Sequence, residues 1–366
     1  MSPVPDDRLV LAVNPGAGST KLALFPAPGD AALREEKLEH PELMARPAAR
    51  MVEELPARLG AVRAFLDRAS VGPGALAAVV GRGGLLPPLS AGAWEADDAM
   101  LADLARAERG EHASNLGAPI ARAIAEARGC PALVVDPVAV DELEPVARLT
   151  GLPGVERRSF SHALNIRAVA RRHAAARGVP LASLRLVVAH LGTGISLAAL
   201  RDGRMVDVVN PQDEGPFSGD RAGGVPATAL LDLCFAPGAE KKSLRRRLFG
   251  EGGLYAHLGT RDVREALRRA TAGDARAALL VDALAYQTAK AAAGLAAALE
   301  GRLDAVILTG GLAFLPEVVE AVRRRVAFLG PVDVQPGEDE LRALAEGAWR
   351  VLRGEEALRS YANRNG

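Results

Sequence analysis

Along this chain, apolar runs of strand length repeatedly end in glycines. RLVLAVNP predicts a first strand, a Gly-rich turn follows, TKLALFPA predicts a second strand, and AALREEKLEH predicts a third after the PGD turn. Helical pattern then runs from about Ala48 to Ala69, ALAAVVG reads as a short buried strand, and the helical stretch Ala121 to Gly129 feeds the strand PALVVDP. The order returns in mid-chain: SLRLVVAHLGTG is strand plus Gly turn, ISLAALRDG a second strand ending in Asp-Gly, and RMVDVVN a third. Helices over Val263–Ala272 and Ala275–Leu299 precede the strand DAVILTGG, followed by a helix over Pro316–Phe328, the strand PVDVQ and a last helix, ELRALAEGAWRVLRG. Ala343, Ala345 and Gly347 suit that last helix to close packing against either half. Strands alternating with helices predict an α/β fold, and the echo predicts two related domains.

Length and charge narrow the classes. A chain of 366 residues exceeds one ordinary domain. Its 45 basic and 45 acidic side chains leave no net field to attract nucleic acid or an anionic membrane. The arginine runs at Arg245–Arg247 and Arg323–Arg325 read as solvated helix faces, as do the acid runs Asp141–Glu144 and Glu338–Glu340. Cys130 and Cys234 lack motif spacing and read as reduced, buried thiols. No apolar run reaches the roughly 20 residues needed to span a bilayer, and MSPVPDDR does not resemble a signal peptide, so a cytoplasmic protein is expected.

The stretch LAVNPGAGSTKLALF breaks at Asn14, Pro15, Gly16 and Gly18 and resumes as strand after Lys21. A Walker loop needs G-x-x-x-x-G-K-[ST] followed by a helix, and a dinucleotide fold needs G-x-G-x-x-G; neither is present. A glycine hairpin still turns backbone N–H groups toward an anion, although a plain tight turn reads equally well from one loop. HLGTGIS from His190 and LTGGLAF from Leu308 repeat the arrangement, and three such loops favour a nucleotide site. Arg82 in VVGRGGLL and Arg221 in PFSGDRAGG supply rigid forks suited to carboxylate or phosphoryl groups, or to structural bridges. Asp136, ending PALVVDP, fits magnesium orientation, a general base or a turn cap. His112, His162, His190 and His257 show no zinc spacing, and no G-x-S-x-G elbow supports a serine hydrolase.

Taken together, NPGAGSTK, VVGRGGLL, GEHASNLG, VVDPVAVDELEPVARLTGLP, SFSHALNIRAVARR, VVAHLGTGIS, DEGPFSGDRAGG, GEGGLYAHLGTRD, ILTGGLAF and PGEDELRALAEGA resemble the butyrate kinases of the acetokinase family, within the acetate and sugar kinase, actin-like ATPase superfamily. The resemblance covers nearly the whole chain. It implies two duplicated actin-like (ribonuclease H-like) domains, with mixed sheets flanked by helices and a cleft between them: residues 1–158 plus 342–366, and 159–341. It implies ATP/ADP and Mg2+, butanoate or a related short-chain carboxylate, and a homo-oligomer. One phosphate loop maps to Asn14, Gly16, Gly18, Ser19 and Lys21, another to His190, Gly192, Thr193, Gly194 and Ser196, and the adenosine side to Gly310 and Gly311. Arg82, Asp136, His162 and Arg221 take the catalytic positions, with His112 and Asn115 in support. Magnesium falls to Asp136 and to Glu338 or Glu340. Thr193 departs from the asparagine of acetate kinases and the glycine of many butyrate kinases, and Asp220 stands where glutamate is common. Kinases for other short or branched acids, a sugar kinase, and an actin-like ATP sensor without activity are the competing readings.

Overall fold

The structure, a computed structural model, describes residues 8–45 and 50–364. Among the described residues twelve strands build two sheets. In chain order they are β1 (Leu9–Pro15), β2 (Ser19–Phe25), β3 (Arg34–Glu39), β4 (Leu76–Gly81), β5 (Ala93–Glu95), β6 (Ala132–Val135), β7 (Leu186–Leu191), β8 (Ile195–Arg201), β9 (Arg204–Val209), β10 (Ala305–Gly310), β11 (Val332–Pro336) and β12 (Leu358–Arg359).

The seven-stranded sheet runs β12-β5-β6-β4-β1-β2-β3 and the five-stranded sheet β11-β10-β7-β8-β9. Within the first, β6-β4-β1-β2-β3 matches the whole of the second, directions included. The β1–β2, β2–β3, β7–β8 and β8–β9 pairs are antiparallel; β1–β4, β4–β6, β7–β10 and β10–β11 are parallel. The echo expected from sequence therefore extends from three strands to five. At the β8–β9 hairpin, Asp202 and Gly203 both take positive φ, 53° and 72°, as a two-residue Asp-Gly turn between right-twisted strands requires.

Two compact units result. One contains the residues up to Asp141 and those from Asp339 onward; the other is Glu142–Glu338. The boundaries expected at 158/159 and 341/342 thus lie earlier, and the packing of the intervening chain explains the first shift. Glu142 Oε2 accepts from Met205 N at 3.0 Å, Glu144 N donates to Val206 O at 3.0 Å, and Arg157 bonds Asp207 and Val208, all on β9. These contacts also correct the reading of the Asp141–Glu144 run as a solvated face: Glu142 is buried beside Arg167, and Glu144 pairs with Arg201.

In the first unit β1 is buried on both faces, which explains its nearly continuous apolar sequence. Leu11 and Val13 join Leu22, Phe65 and Ile120 in one core, drawing in the helices Leu55–Arg68 and Gly117–Arg128. The start of the expected helix at Ala48 lies outside the described residues; a 3-10 turn over Met51–Glu54 leads into Leu55–Arg68. The helix Glu340–Leu352 packs on β1, β2, β4 and β6. A Cβ on its Gly347 would lie 2.4 Å from Val135 Cγ1, so the small residues noted in sequence do permit close approach.

In the second unit, Val187, Ala189, Leu197 and Ala199 meet Leu284, Ala285 and Ala292 of the helix Ala275–Ala298 and Val318 and Val322 of Pro316–Val326. Among the described residues no helix is long and apolar enough to cross a membrane. Both cysteines are free, but the expectation that both are buried fails for Cys234. Its helix, Ala227–Cys234, buries none of its residues. Cys130 is half-buried, and burial pushes its thiol up to about 11.

Candidate active site

In the first unit, β1 ends in a tight reversal closed by Gly16 N donating to Ser19 O at 2.7 Å. Asn14, the last polar position of β1, is buried, and its Nδ2 donates to Glu340 Oε2 at 2.5 Å. Arg82 leaves the end of the adjacent parallel strand β4, where its own N–H donates to Val13 O at 2.9 Å. Its Nη1 lies 2.7 Å from both oxygens of Glu340, at the start of the helix Glu340–Leu352. Asn14, Arg82 and Glu340 therefore form one cluster, drawn from residues 258 and 326 positions apart. Hydrogen bonds to charged groups contribute about 1.5–3 kcal/mol. Lys21 faces Asn14 across the β1–β2 ladder, but it is exposed and sits on the strand rather than in the turn.

Asp136 follows β6 with φ 38°, a left-handed backbone that few non-glycine residues adopt, and is 1% exposed. It is bound to Gly92 in both directions: Asp136 N donates to Gly92 O at 3.0 Å and Gly92 N to Asp136 Oδ1 at 2.8 Å. Residues held in such a conformation cluster at functional sites. Asn115 braces the turn after Arg82: its Oδ1 accepts from Leu85 N at 2.9 Å and its Nδ2 donates to Gly110 O at 3.0 Å. His112 accepts from Ser114 N through Nδ1. Crowding by surrounding protein, then the charge of Arg82, hold this imidazole below its ordinary value although the residue keeps an exposed edge.

In the second unit, His162 and His190 stack with centroids 3.8 Å apart and planes 12° from parallel. Asn165 sets the tautomer of His190. Its Nδ2 donates to Glu338 O at 2.9 Å, so its Oδ1, 2.9 Å from His190 Nδ1, is the acceptor and Nδ1 carries the proton. Among the described residues His190 Nε2 is left as a buried acceptor without a hydrogen-bond partner, 3.4 Å from Glu338 Oε1. Ser196 Oγ accepts from His162 N at 3.3 Å and lies 2.7 Å from His162 Nδ1.

The β7–β8 turn needs both its glycines. A Cβ on Gly192 would fall 2.6 Å from His190 Nε2, and one on Gly194 would fall 2.2 Å from Arg221 Nη1. Thr193 between them points its side chain to solvent, while its carbonyl accepts from Ser218 Oγ. Gly310 takes φ 89° and comes within 2.6 Å of the Leu191 backbone, measured from the Cβ it lacks. Gly192, Thr193, Arg261, Gly311, Phe314 and Glu338 line a cavity of about 650 Å³, within the range of small-molecule sites. Arg221 has no hydrogen-bonded carboxylate among the described residues, and burial pulls its guanidinium below the ordinary value against the neighbouring charge of Asp220.

The family model described as Acetokinase family matches residues 152–344. A relative named probable butyrate kinase, from Coprothermobacter proteolyticus, is 45% identical over 96% of this chain and 99% of its own length. The chain belongs to the acetokinase family. A second relative, named probable butyrate kinase and from Oleidesulfovibrio alaskensis, is 46% identical over 96% of this chain and 98% of its own. Among solved structures, the acetate kinase of Porphyromonas gingivalis superposes with a TM-score of 0.74 at 22% identity, over 92% of this chain and 98% of that one. That likeness shows the fold: a mixed α/β architecture of the actin-like ATPase kind.

Within this acetokinase-family chain, the first unit gathers Asn14, Arg82 and Glu340, and the second gathers His162, His190, Ser196, Glu338 and, around Gly194, Arg221. Glu338 and Glu340, two positions apart in sequence and read together as metal candidates, part company: one faces His190, the other neutralises Arg82. Among the described residues no three His, Cys, Asp or Glu side chains converge on a metal position. Asn165 and Arg261 were not singled out from sequence. Asn165, in the first turn of the helix Ala163–Ala176 and three residues after its N-cap His162, carried that spacing as its only signal.

Proposed function

We propose that this acetokinase-family protein catalyses reversible transfer of the ATP γ-phosphoryl group to butanoate, giving butanoyl phosphate and ADP. The observation that carries the reading is its relationship, at 42–46% identity over 96% of its length, to proteins named as probable butyrate kinases. Carboxylic acids have reference pKa values of about 4, so the acceptor is already ionised near pH 7 and needs no base to activate it. The problem the protein must solve is the approach of two anions. Arg82 and Arg221 offset that repulsion and stabilise charge in the transition state. His162 supports the transferring group, and Asn14 with the Gly16–Ser19 turn orients it. Gly192, Gly194, Gly310 and Gly311 leave room for the nucleotide phosphates and adenosine to approach backbone.

Magnesium fits this donor set, since it retains water and binds through one or two carboxylates plus substrate phosphates rather than an all-protein cage. In the second unit Glu338 would hold it, with the orphaned Nε2 of His190 accepting from a bound water, and it would neutralise phosphate charge; in the first unit Asp136 is the candidate carboxylate. On this reading the protein works in the cytoplasm as a homo-oligomer, without nucleic-acid or membrane partners. Hydroxamate trapping with ATP, magnesium and a panel of acetate, propanoate, butanoate, 2-methylpropanoate and 3-methylbutanoate tests it. The highest kcat/KM is expected for butanoate. A higher value for another acid corrects the substrate, and no hydroxamate from any acid overturns the reaction.

A further inference from the structure

We infer that Arg58 is a positioning residue for the β1–β2 turn, holding its carbonyls inward so that its N–H edge meets phosphoryl oxygens. The inference rests on the phosphotransfer reading above. Arg58 lies in the first turns of the helix Leu55–Arg68 and is 0% exposed, so it acts through the turn and not on substrate.

All five donors of its guanidinium are used. Nε and Nη2 donate to Glu54 Oε2 at 3.0 and 2.7 Å, the second Nη2 proton goes to Ala17 O at 3.0 Å, and Nη1 donates to Ser19 O at 3.0 Å and Thr20 Oγ1 at 3.1 Å. A structural i,i+4 ion pair needs only the first two. The other three are spent on the proposed phosphate loop.

The rest of the turn agrees. His40 N donates to Gly18 O at 2.8 Å, and Gly16 N donates to Ser19 O, so the carbonyls of Ala17, Gly18 and Ser19 are all engaged by protein. Among the described residues no acceptor meets the N–H groups of Ala17 and Gly18. Successive amides freed in this way make an anion-binding concavity. Thr20 extends the brace: with Arg58 donating to its oxygen, its own proton is available to His40 Nε2, 2.9 Å away. Only an arginine reaches four acceptor groups in one plane; a lysine has three donors on a single nitrogen.

The test compares Arg58→Lys, Arg58→Met and Thr20→Val with the wild-type enzyme by steady-state kinetics, thermal melting and amide exchange. Arg58→Lys keeps the charge but loses the fork. It is expected to lower kcat about 10- to 100-fold, as small misplacements of reacting groups do, with KM for ATP and butanoate near wild type. Amides of Ala17 and Gly18 should exchange faster while those of Leu11–Val13 do not. If charge alone mattered, lysine would restore the activity lost in Arg58→Met; that result, or a kcat for Arg58→Lys equal to wild type, overturns the inference. Should neither Arg58 variant fold, Thr20→Val decides, because it keeps shape and removes one of the acceptor groups. A severalfold lower kcat with faster turn exchange supports the role, and no change in either refutes it. Wild-type protein that makes no acyl phosphate refutes the reaction instead, and the exchange data still report on Arg58.

Discussion

The β1–β2 and β7–β8 hairpins occupy equivalent places in two sheets of the same strand order, yet the cations beside them are in opposite electrostatic condition. Arg82, one strand over from the first hairpin, is closed onto Glu340 at 2.7 Å. Arg221, lying across Gly194 of the second, meets no hydrogen-bonded carboxylate among the described residues, and its charged form is disfavoured by burial. A desolvated guanidinium without a hydrogen-bonded carboxylate gains most from an incoming anion, whereas a neutralised one gains only what its carboxylate gives up. The difference teaches that the duplicated strands supply the frame and unrelated side chains supply the chemistry.

That asymmetry orders the expected losses. Arg221→Ala should lower kcat by about 10³-fold, the scale at which arginines act on transferring phosphoryl groups, with melting little changed. Arg82→Ala should cost less, about 10²-fold, because Glu340 already shares its charge. Hydroxamate production by folded variants measures both. A larger loss for Arg82 than for Arg221 breaks the comparison.

A second pair of variants probes the turns themselves. Gly194→Ala places a methyl 2.2 Å from Arg221 Nη1 and must displace the guanidinium, so kcat should fall about 10²-fold, as misplaced catalytic groups cost. Gly16→Ala meets nothing nearer than 3.6 Å, ordinary contact, and should leave kcat close to wild type. Equal effects at the two positions would show that the turns, not the arginine on one of them, set the requirement for glycine.

The hairpins were legible in sequence because each is local: an apolar run, glycines, and a second apolar run with the correct period. Arg82 and Arg221 were legible as candidates because glycines surround them. Their different partners were not, since Glu340 reaches Arg82 from 258 positions away and no spacing announces it. Arg58 was hidden more completely. In EELPAR it looks like an exposed Glu–Arg helix pair, and only the packing of Leu55–Arg68 onto the sheet reveals that the pair is interior. Cys234 failed in the opposite sense: an apolar sequence, LLDLCF, lies on a helix that buries none of it.

The smallest predicted effect concerns the brace behind the first hairpin. Burial, then the charge of Arg58, hold His40 below the ordinary histidine value of about 6.5, with Glu42 at 3.6 Å and Glu54 opposing. His40 Nε2 is an acceptor for Thr20, so protonation there sets two donors, His40 and Arg58, on one hydroxyl oxygen. The folded protein resists that proton while the unfolded chain takes it as pH falls through about 6.5. Stability is therefore fully present above that pH and declines below it until the lower folded value is passed. His40→Gln, which keeps an acceptor but does not titrate, should melt with a shallower pH dependence between pH 7.5 and 5.5. His112 is shifted the same way and remains in both proteins, so the difference between the two melting curves isolates His40. Parallel curves would mean that His40 titrates alike in the folded and unfolded chain, and that acid leaves the Arg58–Thr20 brace intact.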